Sequence, residues 1–415
     1  MSQQRSSNFV VNYKAKEKVK GACCNRSILS PCALEALGIR KRPTEKPKYI
    51  FNSVVDNDLT NYLGIMTPFL GADIASSIII NKTNVNSTYL WFLGDTFYGN
   101  VVDGKRDILV VDNSLIWTRN SILIWTINND TNKSSVYHYM PEYEGQYGQN
   151  KATYGFFSPI QPDPNNPTLN YWPINALIIN NNYYIICEKV ICTNLTTVGI
   201  DILQLNITDI NNPSLWTYEY KSSIPTITTT NTIGNTSIVN NGYVYLFGSK
   251  TYNYYGYVTR IPINDFIDGK WSSLEIYNGL SWLSYLYSIP KTIFTPLALT
   301  STIIFNTYLY KYMILSIDWF SVGPKVCLFY SSTIEGPWEG PEYIYDIPSN
   351  YLINNNILYY APFFHQEFQQ NANEIYWSYN INSFNVKDLV DNLFLYTPKV
   401  IKTIINIEYG KVSCY

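Results

Sequence analysis

Few side chains in this 415-residue sequence are suited to moving protons, and those few are dispersed. Asp73 stands at the head of the run GADIASSIII, and Glu367 follows His365 by two in H-Q-E. Alternation along a strand sends residues i and i+2 to one face, so His365 could orient Glu367 or raise its pKa as an acid. Two carboxyl groups, one protonated and one ionised, are the minimum for general acid–base work near neutral pH. Glu188, after YYIIC, is a weaker third candidate because it falls on a second strand. Asp95 in LGDTF suits a carboxylate accepting backbone N–H groups at a strand end, or a ligand contact. Trp172 and Asn175 in YWPINA offer an indole face and an amide. Each also has a plainer reading: Asp73 as a turn cap, His365 with Glu367 as a structural pair, Trp172 as core. Metal chemistry has little support, with only His138 and His365, no cysteine spacing of the zinc type and no calcium-loop motif.

The elements that must position these groups are written as a repeat. A small or polar start, an apolar strand, an Asn-rich turn and an aromatic strand recur five times, from Ala75, Ile174, Asn235, Leu299 and His365. The aromatic strands centre near Trp91, Ile185, Tyr245, Met313 and Trp377, a period of about 60 to 70 residues after a longer first interval. Such a period, built from several short strands, predicts an all-β, five-bladed β-propeller with a narrow central tunnel. The expected blades run from Gly64 to Asn128, Tyr154 to Tyr220, Thr230 to Ile276, Thr295 to Tyr345 and Tyr359 to Ile401, with residues to Tyr415 helping to close the ring. The first blade is expected to take TYLWFLGDTFYG as its second strand and DILVVDNSLIWT among its outer strands. The stretch YHYMPEYEGQYGQNKA reads as a long inter-blade loop.

Composition agrees. Hydrophobic residues make up 46%, charged residues 14%, and tyrosine occurs 38 times, which favours pleated, half-buried surfaces. The formal charge of −2 conceals an asymmetry. Residues 1–48 carry eleven basic and three acidic side chains, the remainder 18 and 28, so a basic N-terminal arm precedes an acidic body at residues 49–415. The arm is expected to lie on that body or to dock an assembly partner. Seven cysteines, an odd number without framework spacing, fit a reducing compartment or a viral particle. No apolar run is long enough for a membrane helix, and no secretory core opens the chain.

On the phrases GAD (71–73), LGDTF (93–97), SSTIEGPW (331–338), APFFHQEF (361–368) and YWSYNIN (376–382), the chain resembles the five-bladed propeller glycosidase clan of arabinanases, xylosidases and invertases, nearest its Gly-Asp-Thr branches. The resemblance implies a glycan or oligosaccharide at the tunnel mouth, with Asp73 as base or nucleophile. Glycosidic cleavage would need a second carboxyl about 5 to 10 Å away, and Glu367 with His365 is the expected one. Where that clan places a supporting Asp and an acid Glu, this chain has Asn235 and Thr236 on the third blade and Thr300 and Ser301 on the fourth. Thr236 and Ser301 can hydrogen-bond a sugar but not protonate a leaving group. The alternatives are a catalytically silent glycan-binding or virion-associated propeller, and a protein-interaction propeller. No cofactor is expected, although the tunnel leaves room for a calcium ion. The repeated S-x-D-x-G-x-T-W turn of sialidases is missing.

Overall fold

The computed structural model describes residues 46–408 except 109, 112–113, 116, 132, 140–154, 161, 163–167, 192, 227–230, 251–253, 299, 319–322 and 349–355. The basic arm up to residue 45, most of the expected inter-blade loop and the last seven residues lie outside the described residues. The chain divides into two units, residues 1–50 with 406–415 and residues 51–405, and the second contains the candidate site.

The fold is nearly all β, in antiparallel sheets, and propeller-like. Five sheets follow one another as meanders whose strands run in chain order from a first strand outwards, except that the fifth takes its outermost strand from the N-terminal side of the chain. The first sheet comprises Ala75–Lys82, Asn86–Leu93, Ser121–Asn128 and Ser134–Tyr139. The second comprises Leu169–Ile179, Asn182–Ile191, Thr196–Asn206 and Thr217–Ser223. The third begins Asn231–Asn240, Tyr243–Lys250 and Tyr255–Pro262, and ends in the short strands Glu275–Tyr277 and Trp282–Ser284. The fourth comprises Ile303–Asn306, Lys311–Ile317, Lys325–Ser331 and Glu339–Asp346. The fifth comprises Ile357–Phe364, Glu374–Ser383, Lys399–Glu408 and, outermost, Lys48–Val55.

The Asn-rich turns have a direct cause. Asn180 and Asn181, at φ 51° and 62°, join the first two strands of the second sheet, and Asn241 with Gly242, at 45° and 82°, those of the third. Two-residue hairpins whose twist matches the strands need φ > 0 at both positions, which Asn and Gly tolerate best.

First strands of neighbouring sheets touch in order: the first sheet's against the second's, the second's against the third's, the third's against the fourth's, and the fifth's against the first's. Large side chains fill the wedges between sheets. Trp91, Trp125, Tyr89 and Phe368 pack between the fifth and first sheets; Phe92, Phe157, Tyr171 and Ile185 between the first and second.

The first sheet departs from expectation. Its second strand ends at Leu93, and after Gly94 and Asp95 the chain leaves as Thr96–Val102 to pair with Phe69–Ala72 and Lys105–Ile108 in a separate small sheet. The outermost strand is Ser134–Tyr139, beyond the expected end of the blade at Asn128 and running into the start of the stretch that reads as loop. Lacking an apolar run, that strand announces itself only through its ladder with Ser121–Asn128. Residues 365–368 also differ: Gln366–Phe368 is a 3₁₀ turn between strands, so strand alternation does not apply to His365 and Glu367.

Candidate functional site

Asp73 sits where the small sheet hands over to the first strand of the first sheet. Tyr360, on the first strand of the fifth sheet, donates its hydroxyl to Asp73 Oδ2 at 2.6 Å, and Asn382 Nδ2 donates to the Tyr360 oxygen at 3.1 Å. Asp73 Oδ1 is shut off from solvent without a hydrogen-bond partner, although the residue as a whole is only half-buried. Backbone bonds clamp it beside the LGDTF segment: Gly94 N donates to Asp73 O at 2.7 Å, and Asp73 N to Asp95 O at 3.3 Å. A β-carbon on Gly94 would lie 2.3 Å from Asp73 Oδ1, and one on Gly71 2.2 Å from the Tyr396 carbonyl oxygen. Those two approaches are why GAD and GDT carry glycine.

Three non-glycine residues around this point have left-handed backbone: Ile74 at φ 44°, Ala361 at 51° and Tyr396 at 57°. For a β-branched residue such as Ile74 that conformation is costly and persists only where packing enforces it. Here Ile74 is buried against Ala361 and Phe363, with Trp172 and Tyr360 alongside. Strain of this kind concentrates at functional sites.

Asp95 is the second carboxylate of the cluster. It accepts Arg119 Nη1 at 3.3 Å on Oδ2 and Trp172 Nε1 at 3.1 Å on Oδ1, so side chains hold it where backbone N–H groups are expected. Burial raises its pKa, opposed by the Arg119 charge and the two hydrogen bonds. Among the described residues no cation pairs with Asp73. Burial, and then the charge of Asp95, push it up to about 7 against the pull of the Tyr360 and Tyr396 hydroxyls. Burial therefore lifts both carboxyls, opposed at Asp95 by a guanidinium and an indole and at Asp73 by phenols.

Trp172 stands on the first strand of the second sheet, and Glu188 is its cross-strand partner. Directly opposed residues share a face. Glu188 is half-buried, bonds the Thr197 hydroxyl, and is raised by burial against that bond. Asn175 follows a register shift after Pro173; its Oδ1 accepts Ala176 N at 2.8 Å, while its Nδ2 is buried without a partner. Thr236 follows the corresponding shift on the third sheet and also has a buried, unpartnered hydroxyl. Ser301 is consumed structurally: its Oγ donates to Leu315 O at 2.7 Å and its N to Asn235 O at 3.2 Å.

His365 and Glu367 form a separate cluster. Ser77 Oγ lies 2.5 Å from His365 Nδ1 and bonds Glu367 Oε1; His365 Nε2 is 2.8 Å from Ser378 Oγ, and His365 is fully buried. Ser77 lies four residues beyond Asp73, at most roughly 13 Å along an extended chain. The hydrogen bonds therefore gather Asp73 with Asp95 and Trp172, and Glu367 with His365 and Ser77. Among the described residues no group of three or more His, Cys, Asp or Glu is placed to hold a metal ion.

Tyr360, Tyr396, Arg119 and Ser77 are missed by sequence reasoning. Two tyrosines among 38 carry no local mark, and their roles arise from contacts hundreds of residues apart.

With this geometry in view, a family model described as a domain of unknown function, DUF5005, matches residues 56–402. The chain belongs to this family. No curated protein matches this DUF5005 chain. Among solved structures, a candidate hydrolase from Bacteroides ovatus is similar at TM-score 0.64 and 16% identity, covering 88% of this chain and 97% of its own. An exo-β-1,3-galactanase from Phanerochaete chrysosporium has TM-score 0.44 and 13% identity over 85% of this chain and 64% of that one. An exo-1,5-α-L-arabinanase from a bovine ruminal metagenomic library has TM-score 0.42 and 12% identity over 85% and 97%. The first likeness gives DUF5005 its fold and, at 16% identity, nothing of its chemistry.

Proposed function

We propose that this DUF5005 chain is a carbohydrate-active propeller of the five-bladed glycosidase kind, in which the five sheets are blades and a glycan binds where their first strands open beside Asp73. The observation that carries the reading is the carboxylate pair: Asp73, bonded by the Tyr360 hydroxyl and pushed up to about 7 by burial and the charge of Asp95, beside Asp95 held by Arg119. A carboxyl titrating near 7 is matched to proton transfer to a leaving oxygen. Trp172 supplies an apolar face at the same point, and Asn175 and Thr236 supply a free buried donor and hydroxyl on the next two first strands. Glu188, opposite Trp172, is the second carboxyl that hydrolysis would use, and Glu367 with His365 the other candidate.

Asn235, Thr236, Thr300 and Ser301 stand where the glycosidase clan keeps acids, and this favours a second reading, a glycan-binding propeller without turnover. Both readings meet one experiment. Titration calorimetry against arabino-, xylo- and galacto-oligosaccharides, with aryl glycosides for turnover, is run on wild type, Asp73→Asn, Glu188→Gln and Glu367→Gln. Turnover falling at least about 100-fold in Asp73→Asn with binding retained establishes the hydrolase. Binding without turnover in wild type establishes the second reading. Absence of any carbohydrate binding by wild type overturns both.

A further inference from the structure

The third sheet ends unlike the others. Its outermost strand, Trp282–Ser284, and its flanks contain no charged residue between Glu275 and Lys291. Within that stretch Leu280 is 93% exposed, Tyr287 87%, Ile289 80%, Leu286 58% and Leu283 43%. By contrast, the outer strands of the second, fourth and fifth sheets carry Glu219 and Lys221, Glu339, Glu342 and Asp346, and Lys48. Charge on an edge strand is the usual guard against pairing with another chain; the first sheet's outer strand Ser134–Tyr139 is also uncharged but exposes only Tyr137 among its large apolar side chains, whereas here the missing guard coincides with a run of five.

The base of this edge is firmly built. Arg260 is stacked between the rings of Tyr243 and Trp282, 4.4 and 4.3 Å from their centroids, and its Nε donates to Glu275 at 2.7 Å. Trp282 Nε1 donates to Glu335 at 3.2 Å, tying the strand to the fourth sheet's 331–338 turn. Trp282, at the head of this edge strand, is therefore held in place on both sides.

We infer that this face is the interface with a second copy of this chain, joined edge to edge about a two-fold axis. Across such an axis each side chain meets its own equivalent or near neighbours, so a charged patch repels itself while an uncharged apolar one is self-complementary. The five side chains expose on the order of 700 Å², close to the ~800 Å² that each partner of a standard-sized interface buries. The strand edge adds backbone donors and acceptors that pair antiparallel with their own copy.

Sedimentation equilibrium of the full chain from about 1 to 100 μM, at or above the micromolar weak limit for interfaces of this size, reads the result. Wild type is expected at twice 47.8 kDa at the upper end, and Leu283→Glu/Tyr287→Lys at the monomer mass with an unchanged circular-dichroism spectrum. Phe384→Lys, a control at another exposed aromatic, is expected to stay dimeric. A wild type that is monomeric throughout overturns the inference, as does a double variant that remains dimeric. Co-sedimentation of a monomeric wild type with neutral phosphatidylcholine vesicles, lost in the double variant, would assign the face to lipid and reject the dimer.

Discussion

Burial, and then the charge of Asp95, raise the Asp73 carboxyl, and this has a consequence for stability. Its folded pKa of about 7 lies above the ordinary carboxyl value of 3.8, so between those values the folded state holds a proton that the unfolded chain has lost. That contribution is complete below about pH 4 and disappears as pH rises through 7. Asp73→Asn, which cannot ionise and still accepts the Tyr360 hydroxyl, is therefore expected to exceed wild type in stability by about 1–3 kcal/mol at pH 8. The advantage should vanish towards pH 4. Thermal melts of both proteins across that range check it, and equal pH dependence would refute a raised Asp73. Gly94→Ala acts at the same atom from the other side, with its β-carbon 2.3 Å from Asp73 Oδ1. A loss of about 1–3 kcal/mol is expected, and sugar binding, where wild type shows it, should weaken with it. Asp73 and the two glycines are legible in the sequence as GAD and GDT; the phenols and the guanidinium that set the proton's place are not, because nothing local distinguishes them.

At the scale of elements, the site depends on one arginine. Arg106 is buried on the strand Lys105–Ile108, and its guanidinium meets five backbone carbonyls: Leu70 at 2.7 Å, Asn392 at 2.8 Å, Leu393 at 3.2 Å, Leu395 at 2.5 Å, and Leu389. Burial lowers its pKa to about 10, so it remains a cation at neutral pH without a carboxylate partner. It fastens the 389–395 segment, and hence Tyr396, to the strand Phe69–Ala72 that leads into Asp73. The planar fork cannot be copied by an ammonium point charge. Arg106→Lys is expected to destabilise by about 2–4 kcal/mol and Arg106→Met by more, since orphaned buried carbonyls cost about 1–3 kcal/mol each. Urea unfolding measures both; an Arg106→Lys midpoint within error of wild type would remove the anchoring role. The small sheet that carries Arg106 is also the element least visible beforehand. Residues 88–99 read as one aromatic strand, and only the backbone turn at Gly94 and Asp95 sends the chain into a different sheet. The five repeats, with hairpin turns written in Asn and Gly, were open to sequence reasoning because period and turn chemistry are local.

For the whole molecule, what local reading cannot supply is closure. The fifth sheet takes three strands from residues 357–408 and its outermost strand, Lys48–Val55, from more than 300 residues earlier. The run YIFNSVV at residues 49–55 has the composition of a strand, but its partner is a matter of long-range pairing. Ser53 Oγ meets Thr403 Oγ1 at 2.8 Å, and Trp377 Nε1 donates to that same threonine oxygen at 2.8 Å, so the seam is specified by side chains as well as by the ladder. Such a seam fixes the N-terminal strand as the outer edge of the fifth sheet, and stability should depend on it much more than on the basic arm. A chain beginning at residue 46 retains the strand and is expected to melt cooperatively, close to the full-length protein. A chain beginning at residue 56 loses several ladder bonds at roughly 1 kcal/mol each and exposes an unpaired edge. It should lose about 3–5 kcal/mol and aggregate on heating. Differential scanning calorimetry of the two truncations distinguishes them. Equal transitions would mean that the strand is an accessory, and loss of the transition already at residue 46 would mean that the arm belongs to the fold.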